Sequence, residues 1–124
     1  MAPLQHRTLL AQALTAGFLI LKHGTVDNSA ALATASTDLL VGTNDSLEKS
    51  AGETIDYPTA GTGQVKLGGN ITRGQPITSD AASKGIYANP GAGVNARIIG
   101  FALQSGVADD VIDYHIAPGL IQGA

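Results

Sequence analysis

The chain of 124 residues is long enough to bury one core, carries 14% charged residues and a formal net charge of −3, and contains no cysteine. That balance excludes the basic footprint on which phosphate-backbone binding depends, and with it nucleic acid as an expected partner; it also excludes disulfide frameworks, thiolate metal sites and cysteine nucleophiles. Apolar residues make up 44% but aromatic residues only 4%, beside 16 glycines and 5 prolines, a composition that suits a thin aliphatic β core interrupted by frequent turns.

In chain order, the opening from Pro3 to Ala16 places Leu4, Arg7, Ala11 and Leu14 at helical spacing. Arg7, Leu9, Ala11 and Ala13 equally alternate with Thr8, Leu10, Gln12 and Leu14, so periodicity leaves helix and strand open there. Leu9 to Leu21 follows His6 and Arg7 as a secretory apolar region would. Gln12, Thr15 and Gly17 interrupt it, however, and Lys22-His23-Gly24 stands where a small-residue cleavage signal belongs, so no signal peptide is expected. No run approaches the ~20 apolar residues of a membrane-crossing helix, and no membrane partner is expected.

Short runs of Ile, Val, Leu and Thr, separated by Gly, Asn, Asp or Pro, predict strands near 7–12, 18–23, 30–34, 38–43, 53–57, 64–68, 75–79, 86–88, 96–104 and 111–116. His23-Gly24, Asn44-Asp45, Gly61-Thr62-Gly63, Gly68-Gly69-Asn70, Lys84-Gly85 and Asn89-Pro90-Gly91 read as turns.

Displacing the chain against itself by 57 positions aligns Leu10 with Leu67, Leu14 with Ile71, Thr15 with Thr72, Gly17 with Gly74 and Ile20 with Ile77. After a one-residue insertion Gly42 meets Gly100, and with the insertion undone Ile55-Asp56-Tyr57 meets the identical Ile112-Asp113-Tyr114. Either two copies of one β unit are present, or β chains rich in Ile, Leu and glycine turns align with themselves by composition. Duplication decides the opening in favour of a strand, because its counterpart 64–71 holds paired glycines that a helix tolerates poorly. Gly17, Gly42, Gly74 and Gly100 become structural turn glycines at equivalent positions.

The expected fold is all-β. It is a small compact barrel or sandwich of two duplicated units, packed through their apolar faces, with flexible N- and C-terminal arms. A single domain spans 1–124, with repeat one about 7–58, repeat two about 64–116, and arms 1–6 and 117–124. The loops Asn44–Gly52 and Ser105–Asp110 are expected to be related and exposed.

Chemistry is sparse. His6, His23 and His115 show no metal-ligand spacing. On a strand Val111, Asp113 and His115 share a face, where a carboxylate and an imidazole could meet a cation or simply be solvated. No serine falls in G-x-S-x-G, and Gly61-Thr62-Gly63 and Gly91-Ala92-Gly93 lack the third glycine and following helix of a nucleotide loop. Lys66 lies within a strand run and not at the hairpin tip where a swinging-arm lysine stands. No catalytic, cofactor-binding or metal residue is assigned, and no cofactor is expected.

The second half carries a more specific pattern. Val65-Lys66-Leu67-Gly68-Gly69-Asn70-Ile71-Thr72-Arg73-Gly74-Gln75-Pro76-Ile77-Thr78-Ser79-Asp80, then Arg97-Ile98-Ile99-Gly100-Phe101-Ala102-Leu103 and Ala108-Asp109-Asp110-Val111-Ile112, resembles the small phage capsid decoration, or cement, proteins. The resemblance is clearest over 64–116 and looser over 15–57, and it departs at Gln75-Pro76, where that family usually has an acidic residue followed by a hydrophobic one. It implies a non-enzymatic virion protein made in the host cytoplasm. Such a protein sits as a homotrimer on the outer surface of the bacteriophage head and bridges subunits of the major capsid protein. The uncharged ends, Met1–Gln5 and Pro118–Ala124, then offer Leu4, Leu120 and Ile121, and the residues next to the first end His6 and Arg7, as candidate capsid or trimer contacts. The alternative is a β module that recognises carbohydrate or a host surface from exposed loops around Tyr57 and Tyr87.

Overall fold

The described residues, which in this computed structural model are 6–11, 17–44, 50–58 and 60–123, form ten strands separated by glycine, asparagine, aspartate or proline, and no helix occurs among them. The first half forms β1 (His6–Ala11), β2 (Ile20–His23), β3 (Ser29–Leu32), β4 (Leu40–Thr43) and β5 (Thr54–Pro58). The second forms β6 (Thr62–Lys66), β7 (Pro76–Ser79), β8 (Gly85–Tyr87), β9 (Asn95–Ala102) and β10 (Val111–Gln122). The opening is therefore a strand where the described residues begin.

Each half builds one five-stranded sheet, in the order β4-β2-β3-β1-β5 and β6-β10-β9-β7-β8. Numbered within each half, the two orders share the neighbours 1–5, 4–2 and 2–3. The first sheet adds a parallel pairing of β1 with β3, and the second adds an antiparallel pairing of β9 with β10. A single parallel bridge from Leu67 to Gly85 touches the two edges of the second sheet without extending into a ladder. The result is a sandwich-like β fold whose sheets do not close into barrels.

Alternation along the strands directs the apolar residues inward. Val65, Leu67, Ile71, Ile77, Ile99, Ile112, Tyr114 and Ile116 form one core, which Ile20 and Ala33 of the first half enter. Leu9, Ala11, Leu21, Ala30, Ile55 and Tyr57 form the other. Ile20 and Leu21 are consecutive, both at 0% exposure, and belong to different cores. The start of β2 is thus buried on both faces and acts as the partition between them. Burying each such side chain contributes about 1.5–3 kcal/mol.

Hydrogen bonds stitch the halves beyond this packing. Lys66 N donates to Phe18 O at 2.9 Å, Ile20 N to Ser83 O at 2.7 Å and Arg97 N to Ser36 O at 2.8 Å. The Ser83 hydroxyl donates to the Ala33 carbonyl. At the centre, Thr43 Oγ1 and Tyr114 OH lie 3.0 Å apart, both buried. The Tyr114 ring fits because Gly63 stands opposite it on β6, where a Cβ would approach Cε1 to 2.9 Å.

Three expectations change. The C-terminal arm is, through Gln122, the far half of β10, where Gly119 to Gln122 pair with Ile98 to Asn95. Pro118, which has no N–H to give a ladder, falls in the register shift between Ile116 and Gly119. Gly42 and Gly100 are in β4 and β9, not in turns, with φ of 157° and 155°. A Cβ on Gly100 would sit 1.9 Å from the His115 carbonyl oxygen, so the close approach of β10 at that point needs a glycine. Gly17 and Gly74 do lie in turns. Finally, Asn44 at the start of the supposedly exposed loop is 2% exposed.

Candidate interaction surface

The outer face of the second sheet is assembled by register. Pairing sets Thr62 opposite His115, His115 opposite Phe101 and Phe101 opposite Pro76, so one row crosses four strands. Gln64 stands opposite Asp113 in the next row, and its Nε2 donates to Asp113 Oδ1 at 3.3 Å. Phe101, Leu103 and Val111 are exposed at 39%, 45% and 41%, which gives this face apolar side chains among neutral and singly charged ones. Val111, Asp113 and His115 share it, while Ile112, Tyr114 and Ile116 point into the core. Among the described residues no three His, Cys, Asp or Glu side chains gather as metal ligands would.

The candidate contact residues fall at two places. His6 and Arg7 open β1 opposite Pro58 and Tyr57. Leu120 and Ile121 lie on the extension of β10, opposite Arg97 and Ala96, Leu120 exposed and Ile121 half-buried. Leu4 lies outside the described residues. So do Ser46 and Lys49, which stand at the S-x-x-K spacing that some acyl-transfer enzymes use.

Two shallow clefts divide the residues around the start of β9. Asn95 and Arg97, with Thr37 and Leu120, line one of about 210 Å³. Val94 and Ala96, with Ser36, Thr78, Tyr87 and Pro90, line part of another of about 190 Å³. Tyr57, grouped with Tyr87 as an exposed loop aromatic, is instead 6% exposed in β5 and belongs to the first-half core. Its spacing from Ile55 carries the reason, since residues two apart on a strand face the same way.

The loop that supplies Ser36 and Thr37 is organised by Asp38. Its Oδ2 accepts from Thr34 N at 2.8 Å and Ala35 N at 3.1 Å, and Lys22 Nζ lies 3.8 Å away. The Thr34 amide, helped by Lys22 against a desolvation cost, holds this carboxyl below its ordinary range. Lys84 and Asp109 form an exposed pair at 2.8 Å; their hydrogen bond raises the lysine and lowers the aspartate. Burial pushes Tyr114 up to about 12, against a smaller lowering by Thr43.

No family model matches the chain. No curated protein matches it. Among solved structures it is similar to the head fiber gp8.5 N base of bacteriophage phi29, with a TM-score of 0.68 over 92% of this chain and 94% of that one. Identity is 14%, so the likeness is one of fold. It extends over nearly the whole of both chains.

Proposed function

We propose that this chain is a non-enzymatic structural protein of a bacteriophage virion. It is carried on the outer surface of the head as a homotrimer and cements neighbouring subunits of the major capsid protein. The observation that carries this reading is the fold likeness to the phi29 head fiber base across 92% of the chain. Three others support it: the sequence pattern of 64–116, the apolar outer face around Phe101, and the low charge of the chain, 14%. The two halves are read as copies of one unit. Ile20 and Ile77 are equally buried on the second strand of each sheet, and the fifth strands bury Ile55 and Tyr57 in one and Ile112 and Tyr114 in the other.

Cementing works here by mass action. A trimer engages three sites at once and gains avidity, and a ligand that binds only the assembled lattice stabilises that lattice. Likeness to a head fiber base favours a second reading, in which the chain is itself the base of a head fiber and tethers something to the capsid without reinforcing it. Light scattering on the purified protein, with thermal rupture of heads with and without it, separates the two. Cementing predicts a trimer and a raised rupture temperature. A fiber base leaves the rupture temperature unchanged, and a monomer that does not bind heads contradicts both.

A further inference from the structure

The far half of β10 has no neighbour along one side of its backbone. β6 pairs with β10 from Val111 to His115, and the residue leading into β6 makes the last bond there, where Ile116 N donates to Gly61 O. From Gly119 to Gln122, among the described residues, β10 pairs with β9 alone. Arg97 N turns away from β10 to donate to Ser36 O, so Arg97 and its partner Leu120 exchange no hydrogen bonds. Gly123 N points back the other way and donates to Val94 O. Between these two fixed points the alternation of an antiparallel ladder turns the N–H and C=O of Leu120 and Gln122 outward, where no described strand meets them.

A cation lies beside this open edge. Facing residues that exchange no hydrogen bonds hold their side chains close together on one face, and Arg97 and Leu120 accordingly line the same cleft of about 210 Å³, with Thr37 and Asn95. Arg97 is half-buried. Lys22 and Lys84 have aspartate partners, whereas the Arg97 guanidinium makes no ion pair or hydrogen bond with another described residue. None of the described residues lining the cleft is acidic. A guanidinium takes a carboxylate through paired N–H donors, and a free strand edge takes another extended chain through main-chain hydrogen bonds. A small anion would use the first feature and leave the second idle.

We propose that an extended, acidic segment of a partner protein adds to this edge as a further strand, bonding Leu120 and Gln122 through its backbone and presenting a carboxylate to Arg97. An added strand lies about 4.8 Å from β10, so a glutamate on the Arg97 face reaches past Leu120 to the guanidinium. Alternate residues of the segment fall on the opposite face, beside the half-buried Ile121, and are expected to be apolar. A second copy of this chain fits less well. Residues 117–124 carry no acid, so two copies meeting β10 to β10 would leave Arg97 unmatched in both. The proposal does not rest on the capsid reading, because the edge and the cleft lie within one chain.

The test titrates the full chain with the end-capped peptide Ser-Val-Glu-Val-Glu-Val-Ser and with its counterpart carrying Gln for Glu, followed through backbone amide exchange. In the free chain Leu120 and Gln122 should exchange quickly, and Ile121, which bonds to β9, slowly. The glutamate peptide should slow Leu120 and Gln122 and bind about tenfold more tightly than the glutamine peptide. Arg97→Gln should erase that preference. Leu120→Pro removes an outward N–H without taking a bond from β9 and should abolish binding, its folding being checked by slow exchange at Ile121. Unchanged exchange at Leu120 and Gln122 with the glutamate peptide overturns the proposal, as do equal affinities for the two peptides or a preference that survives Arg97→Gln. Slowing of these two amides with rising protein concentration and no peptide overturns it too, by assigning the edge to a second copy.

Discussion

Replacing Tyr114 by Phe removes one oxygen from the place where the two halves meet. The Tyr114 hydroxyl lies 3.0 Å from Thr43 Oγ1, and Thr43 and Tyr114 are 1% and 0% exposed, so water does not replace what is lost. A neutral hydrogen bond contributes about 1 kcal/mol, and a buried partner left alone adds ~1–2 kcal/mol. Tyr114→Phe is therefore expected to cost about 2 kcal/mol. At ~2 cal/mol/K of unfolding entropy per residue, a chain of this length loses about 4 °C of midpoint per kcal/mol, or about 8 °C here. Thr43→Val should cost a similar amount, because it orphans the phenol instead. The double variant has no orphan and should lose only the hydrogen bond itself, about 1 kcal/mol, giving a coupling of about 3 kcal/mol. Urea unfolding of the four proteins at fixed concentration measures this. A double variant that loses the sum of the single losses would falsify the claim that these two side chains satisfy each other.

Other outcomes follow from the same geometry. The Tyr114 phenol, raised to about 12, should titrate later than ordinary tyrosines in phenolate absorbance. Its folded pKa exceeds the unfolded value of about 10, so its stabilisation is intact below pH 10 and is lost as pH rises toward 12, on the order of 3 kcal/mol. Unfolding at pH 9 and pH 11 checks the sign. Gly100→Ala forces a Cβ to 1.9 Å from the His115 carbonyl and should destabilise by more than ~3 kcal/mol. Gly119→Ala meets nothing within 4 Å and should be silent by thermal melting; equal effects would refute the close approach at Gly100. Asp38→Asn should loosen the loop carrying Ser36. Because the Asp38 carboxyl is depressed, its contribution is present above its unfolded pKa of about 3.9 and is lost as pH falls through the lower folded value. Amide exchange at Thr34 and Ala35, unchanged by Asp38→Asn, would contradict that role.

The strands were the most legible part of the sequence, since they are short β-branched or aliphatic runs separated by at least one glycine, asparagine, aspartate or proline. Their order was not legible, because neighbours such as β1 and β3 are chosen by tertiary packing that no local pattern records. Pro118 illustrates how a strong local signal misleads. Read alone it ends a strand, whereas in β10 it occupies the bulge where a missing donor costs nothing. Gly100 misleads in the same way, since a glycine needed for close approach inside a sheet looks like a turn glycine. Tyr57 was recoverable from its place two residues after Ile55, which is fully buried.

Cementing takes place on the assembled head, and co-sedimentation of the purified chain with heads that lack it measures that binding. A cement trimer binds mature heads saturably, in multiples of three copies, and does not bind free major capsid protein. Absence from the head pellet at saturating concentration, or equal binding to free capsid subunits, would contradict it.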